Sequence, residues 1–350
     1  MDARPGKAAN PDDLLCEFDD DQCDGCSLKL AGAGKRGPDG KLSDFEALHL
    51  AAKLHQAAKA NDVPKLEKML AEGADINAVN EDKATALWLA AQNNNLACLE
   101  VLFAQKENGT AKINATNKFD YTPVYIAAKQ NHPDALKALI EKKADINAKD
   151  FQHFSPVYIA AKHNNVDTLR ELMEAGADLN AADKQLESPI FVAAQQNNRE
   201  ALKQLLAEGD VCGACAIGTY VLVKGFPVCS LCSMGKRGGA LINAANIKGQ
   251  TPVYTAAKHQ SLHTLKMLIA AGADIDAADE AGKSPLWAAA DQGNTEAVHV
   301  LVEAGSVLDA ADKLRRSPLY AAAAADRVEC LEVITMMTYC NTKQYTRQFK

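Results

Sequence analysis

Several common signatures of enzymes and membrane proteins are missing from this chain. It has no P-loop, no H-E-x-x-H pair and no nucleophile elbow, so the usual local marks of nucleotide, zinc-protease and serine-hydrolase chemistry are absent and no enzyme is expected. No apolar run reaches the roughly 18 residues that a membrane-spanning helix needs. The start, MDARPGKAANPDD, has no apolar stretch of the kind a secretory signal carries. Asp2 stands where myristoylation requires glycine, and TRQFK at the end is no prenylation box. Long basic blocks are lacking and the net charge is −7, which argues against nonspecific nucleic-acid binding. Aromatic residues make up only 5% of a chain that is 47% hydrophobic, so packing must rest on small aliphatic residues, alanine above all. These absences predict an intracellular protein, cytoplasmic or nuclear, whose ten cysteines act as thiols or metal ligands before disulfides.

What the chain has instead is repetition. The stretch from Thr122 to Asp150 reads TPVYIAAKQNHPDALKALIEKKADINAKD. Thr122-Pro123 opens a helix, with a hydroxyl for the N-cap and a proline in the first turn, where its missing N–H costs nothing. Val124, Ala127 and Ala128 fall at helical spacing. Asn131 stands where the chain must enter the left-handed region, which Asn tolerates. Leu136, Leu139 and Ile140 form the stripe of a second helix, and Ala144–Ala148 leads on. Neither helix could bury its apolar side alone, so the unit needs neighbours.

Thr122-Pro123 recurs as Ser155-Pro156, Ser188-Pro189, Thr251-Pro252, Ser284-Pro285 and Ser317-Pro318, in steps of 33, 33, 63, 33 and 33 residues. The step of 63 is 33 plus an insert of 30. Earlier copies without the proline begin near Leu54 and Thr85, giving eight units in one register between Asp44 and Val333. The period and the T-P-x-x-x-A phrase resemble the ankyrin repeat family, and the resemblance implies an all-α repeat solenoid. In one respect the chain departs from the family. The family's His in that phrase survives only as His55; elsewhere Trp88, Tyr125, Tyr158, Phe191, Tyr254, Trp287 and Tyr320 take its place. The resemblance implies that this His ties adjacent units by hydrogen bonds. Here a ladder of core aromatics must replace part of that role, with the Tyr hydroxyls as polar handles.

The organisation follows. Residues 1–43 form an acidic arm, poor in aliphatic residues and of disordered composition, with Cys16, Cys23 and Cys26 in C-x6-C-x2-C spacing. Those three thiols lack a convincing fourth ligand, His49 reading as a structural helix residue. The solenoid spans 44–335, an insert occupies 210–239, and 336–350 caps or trails the stack, with Met336, Met337 and Tyr339 expected in its core. The insertions at 106–110 and 210–239 both fall between a second helix and its closing turn phrase, which marks that connection as tolerant.

The insert carries Cys212, Cys215, Cys229 and Cys232 in C-x2-C-x13-C-x2-C spacing. Two C-x-x-C turns can present four thiolates to one tetrahedral metal. Thr219–Val223 reads as a strand and Gly225-Phe226-Pro227 as a turn that would bring the knuckles together. The pattern resembles a small zinc ribbon, which implies structural zinc, since four thiolates leave no open position. A redox dithiol and free thiols are the alternatives.

Two functions of different kind remain: a protein-binding scaffold, and a thiol-based redox or metal-sensing protein working through the C-x-x-C pairs. The scaffold is preferred. The resemblance places its contacts on a concave face lined by first helices and turn tips. Candidate contacts there are Lys129, Lys162 and Lys258 after the Ala-Ala pairs, His163 and His259 beside them, and Phe119, Tyr121, Phe151 and Phe154 on the turns. Aromatic anchors flanked by lysines suit a protein or peptide with apolar and acidic residues. The competing reading is solvated lysines over packed turn aromatics.

Overall fold

The computed structural model describes residues 44–105, 109–207, 221–223, 226–228 and 239–348. The chain divides into two units, Met1–Glu46 and Ala47–Lys350, and the helix pairs described below belong to the second, apart from the first residues of the first helix.

Among the described residues sixteen helices form eight antiparallel pairs. The first helices of the pairs are α1 (Asp44–Ala60), α3 (Ala86–Gln92), α5 (Pro123–Gln130), α7 (Pro156–His163), α9 (Pro189–Gln195), α11 (Pro252–Lys258), α13 (Pro285–Gln292) and α15 (Pro318–Ala324). The second helices are α2 (Val63–Ala71), α4 (Leu96–Ala104), α6 (Pro133–Glu141), α8 (Val166–Glu174), α10 (Arg199–Ala207), α12 (Leu262–Ala270), α14 (Thr295–Glu303) and α16 (Val328–Gln348). Each first helix from α3 onward packs on the next first helix, so the units stack in sequence order.

The hydroxyl-proline phrase starts the first helices as expected. The Thr122 hydroxyl accepts from the Tyr125 N–H at 3.1 Å, Ser155 from Tyr158 at 3.1 Å and Ser284 from Trp287 at 3.1 Å. Such a cap is worth about 1 kcal/mol. The same helices end on a left-handed residue once per unit: Asn61, Asn94, Asn131, Asn164, Asn197, Gln260, Gly293 and Asp326 all have positive φ. Ala127, Ala128, Ala160 and Ala161 are fully buried and let neighbouring helices approach closely, while Leu136, Leu139, Leu169, Leu172, Leu202 and Leu205 fill the space beneath the second helices.

The aromatic ladder is present in the core, with one exception. Trp88, Tyr125, Tyr158, Phe191, Tyr254 and Trp287 are buried, whereas Tyr320 is 53% exposed. Tyr320 belongs to the eighth pair, and no later pair among the described residues covers it. A second expectation fails for a similar reason. Met336 and Tyr339 are exposed rather than core. The buried stripe of α16 runs through Cys330 and Ile334, and one helical turn on it reaches Met337, so positions 336 and 339 fall off it. This helix also continues without a break across 335–336.

The Tyr hydroxyls are the predicted handles, and their acceptors are carboxylates. Tyr125 donates to Asp150 Oδ2 at 3.1 Å, Tyr158 to Asp183 Oδ2 at 3.4 Å and Tyr254 to Asp279 Oδ2 at 3.1 Å. Burial first, then the nearby Asp charge, pushes each of these phenols far above the usual range. Asparagines add a second set of ties. The Nδ2 of Asn165 donates to Ala128 O at 2.9 Å and Lys129 O at 2.8 Å, and Asn95, Asn198 and Asn294 do the same one unit apart.

The insert contributes a two-stranded antiparallel ribbon, β1 (Val221–Val223) with β2 (Phe226–Val228), in register Val221↔Val228. Phe226 and Pro227, expected in the turn, lie in β2, because Leu222 and Val223 pair with them.

The Tyr–Asp ties predict an asymmetric outcome. Tyr125→Phe and Tyr254→Phe should each lower stability by about 1.5–3 kcal/mol, the range for a hydrogen bond to a charged group. Tyr320→Phe should stay within about 0.5 kcal/mol of the parent. Urea unfolding midpoints check both.

Candidate protein-binding face

The candidate contact residues come from two places in each unit: the turn before a first helix and the end of that helix. A turn begins with a buried Asp or Asn whose Oδ1 accepts two N–H groups. Asp150 Oδ1 takes the N–H of Gln152 at 2.8 Å and of Phe154 at 2.8 Å. This clamp forces the third residue after it into the left-handed region, occupied by Asp120, His153, Leu186, Gly249, Gly282 and Arg315 in successive units. The residues at the tip then point away from the clamp and are free to vary.

The first helices turn those aromatics into stacks. Four residues separate the turn residue from the ladder aromatic, and four more separate that from the helix end, so all three share one helical side. Tyr121 stacks on Tyr125 with centroids 4.4 Å apart, and Lys129 Nζ lies 4.9 Å from the Tyr121 ring. Phe154 stacks on Tyr158 at 4.5 Å, with Lys162 Nζ 4.8 Å from its ring. Each lysine thus gains a cation–π contact, worth about 0.5–1 kcal/mol at an exposed site. Tyr121 and Phe154 are therefore partly covered bases for lysines, not bare anchors. Phe119, 5.6 Å from Tyr121 and with Lys118 Nζ 5.1 Å from its ring, and Phe151 are more exposed, at 45% and 47%.

His163 ends α7 beside Lys162, and His259 caps α11 beside Lys258. Both imidazoles titrate below their ordinary range. The protein body behind each ring disfavours its charge first; Lys129 and Lys162 add to this for His163, and Lys258 for His259. Lys258 and His259 lie two units beyond His163, with Gln195 and Gln196 of the α9 unit between.

Two apolar tip residues escaped the reading of the sequence. Leu186 is 45% exposed and Ile247 44%, close to Phe119 and Phe151 in exposure, so four successive turns each show one open apolar side chain, at the second, first, third and first residue after the clamp. Aliphatic residues in turns give no aromatic signal, and their place in the turn varies from unit to unit, so no fixed spacing marks them.

Cys212, Cys215, Cys229 and Cys232 lie outside the described residues, as do Cys16, Cys23 and Cys26. Among the described residues no group of three or more His, Cys, Asp or Glu could hold a metal. Cys98 and Cys330 are buried thiols with pKa values raised chiefly by burial. A cavity of about 390 Å³ lined by Gln260, Leu262 and Gly293–Ala297 gathers no nucleophile and no paired carboxylates. No described helix is long and apolar enough to cross a membrane.

Comparison with known proteins agrees with this architecture. Family models described as ankyrin repeats in three copies match residues 54–150, 227–312 and 254–345, and one described as ankyrin repeats in many copies matches 157–206. The chain belongs to the ankyrin-repeat family. A 53-residue segment is also 45% identical to a mitochondrial disaggregase of Bos taurus, covering 15% of this chain and 8% of that protein. Ankyrin repeats are in general scaffolds for protein–protein interaction, and the fold described here fits that role.

The lysine field around His163 can be tested directly. Lys162→Gln should raise the His163 pKa, because a neighbouring positive charge is removed. It should not restore the ordinary value, since burial is the larger cause. Proton NMR titration of the imidazole reads the shift.

Proposed function

We propose that this protein is a binding scaffold whose partner is a protein or peptide carrying apolar and acidic residues, held on the side formed by the turn tips and the ends of the first helices. The observation that carries this reading is the pairing of open apolar tips with lysines seated on aromatic rings. A lysine fixed over a ring has lost part of its side-chain freedom already, so less is lost when it meets a carboxylate. Open apolar tips beside it supply the desolvated contact area that anchors need. Candidate contacts are Phe119, Phe151, Lys129, Lys162, His163, Lys258 and His259, with Tyr121 and Phe154 acting mainly as supports.

Phe151→Ala is the cleanest test. Its ring is half exposed, so the change should leave unfolding within about 0.5 kcal/mol while weakening a captured partner by tenfold or more, as truncation of a hot-spot aromatic does. Phe154→Ala should weaken binding too, but with a stability loss from the Tyr158 stack. Unchanged capture by both variants would remove the proposal.

We further propose that Cys212, Cys215, Cys229 and Cys232 hold one structural zinc. The β1–β2 ribbon supports this, since it falls between the two C-x-x-C pairs in the sequence and its antiparallel pairing sets Val221 beside Val228. The purified chain should then contain about one zinc, as a single four-thiolate site requires. Changing Cys229 and Cys232 to Ser should abolish it while the helical circular dichroism persists, because the units bury their own interfaces. Metal-free protein whose four thiols oxidise readily to disulfides would instead favour the thiol-based reading.

A further inference from the structure

We infer that the partner lies across the turn tips as an extended, polyproline-like segment with an apolar residue at every third position and acidic residues between. This rests on the binding-scaffold reading above and specifies the partner's conformation and register.

Three observations lead here. The first is the series itself: Phe119, Phe151, Leu186 and Ile247, one per turn in four consecutive units, all 44–47% exposed, though not at one fixed position in the turn. An apolar series of this kind on an otherwise charged surface marks an interaction site. The second is spacing. Stacked helices sit about 8–10 Å apart, which sets the mean advance from one turn to the next. A polyproline II segment rises about 3.1 Å per residue with three residues per turn, so every third side chain returns to the same side after about 9.3 Å. A β-strand of the same length would face alternate residues away, and an α-helix would advance only about 4.5 Å in three residues.

The third observation is a gap in the backbone bonding. Successive tips are joined by one N–H···O bond in a fixed pattern: Lys118 to Asp82 O at 2.8 Å, Ile247 to Gln185 O at 2.9 Å, Glu280 to Lys248 O at 2.9 Å and Lys313 to Ala281 O at 3.0 Å. The corresponding bonds from Phe151 N–H to Phe119 O and from Lys184 N–H to Gln152 O are not formed. Both gaps flank the Phe151 tip, where the open aromatics are. Backbone donors and acceptors are left there for a bound chain, and an extended segment without internal hydrogen bonds has its own to offer.

Charge fixes the partner's sign. The chain carries −7 overall. Around these four turns and the four helix ends above them stand Lys118, Lys129, Lys162, Lys184, Lys248 and Lys258, against Asp120 and Glu187 outside the buried clamps. Glu187 is half-buried and already accepts from Asn246 Nδ2 at 3.4 Å, and Lys118 is paired with Asp82. The surplus is positive, so carboxylates are the complement.

The test is selection of a phage-displayed library of random 16-residue peptides on the immobilised full-length chain, followed by anisotropy titration of the enriched peptides against wild type, Phe151→Ala and Leu186→Ala. Leu186 belongs to the series but is not part of the lysine stacks on Tyr121 and Phe154, so it separates the tip path from general attraction. The expected result is enrichment of apolar residues at i, i+3 and i+6 with Asp or Glu between and proline tolerated, and affinity reduced about tenfold by each variant. Enriched peptides with a helical i, i+4, i+7 pattern, with no period, or with affinity indifferent to Leu186 would overturn the inference while leaving the scaffold reading intact. Failure to enrich any peptide would overturn both.

Discussion

One carboxylate or amide per unit ties this structure together. Its first oxygen accepts two backbone N–H groups and shapes the turn; its second group faces the unit before. Where that unit offers a Tyr hydroxyl, the residue is Asp: Asp150, Asp183 and Asp279. Where it offers His55, Trp88 or Phe191, the residue is Asn: Asn80, Asn117 and Asn246, each with Oδ1 on its own turn. A second carboxylate oxygen facing no donor would be a buried unpaired charge, which is costly, and the amide avoids it. Asp312 faces Trp287 and looks like the exception, but Arg316 supplies the missing donor with Nε at 2.8 Å. Hydrogen bonding, the Arg316 contact first, holds the Asp312 carboxyl below its usual range.

This clamp separates two jobs within a few residues. Turn geometry depends on the Asp or Asn and on one left-handed position, so the tip residues are released from structural duty. The tips can then carry Phe119, Phe151 or Ile247 without cost to the stack, whereas Leu186 is itself the left-handed residue of its turn. Stability draws on the clamp and the left-handed residue rather than on the other tip side chains, which is why variants at Phe151 are expected to leave the stack intact.

Much of the fold was legible in the sequence because its signals are local. Thr122 or Ser155 before proline, and Asn131 at the helix end, need only the chain on either side to be understood. The Ala-Ala pairs and the leucine stripes follow from helical spacing. The match of Tyr125 with Asp150 was not read, since it spans 25 residues and joins a helix to the next unit's turn. Nor was the asymmetry along the aromatic ladder: Tyr320 and Tyr125 occupy equivalent positions, and only the presence or absence of a following unit decides which is buried. At the candidate face, the expected contact residues do not share one environment. The four-residue spacing that places Tyr121 and Phe154 on the ladder also covers them with lysines, while Phe119, beside Lys118, and Phe151 stay half exposed.

The same economy of bonds explains why the chain tolerates two insertions at equivalent points. Asn77 donates to Thr110 O at 3.0 Å and accepts from Lys112 N–H at 2.7 Å, where the chain re-enters after the first. Asn180 does the same with Gly239 O at 3.1 Å and Leu241 N–H at 2.7 Å after the second. In each case an asparagine of the preceding closing turn receives the returning strand with both ends of its amide. The uninterrupted units use only the acceptor half, as Asn114 with the Asp145 N–H and Asn147 with the Asp178 N–H. Re-entry is thus fixed by the unit before the insertion, whatever lies between, and the stack resumes with α9 packed on α11. Across the longer insertion the ties themselves change: Phe191 before it offers no hydroxyl, and Ser261 and Thr264 after it donate to Gln195 O and Ala194 O at 3.2 Å each in place of an asparagine. The junction that bears the four-cysteine segment therefore has neither a Tyr–Asp tie nor the doubly bonded asparagine, and it depends on the Asn180 clamp and the Ile247–Gln185 tip bond for its register.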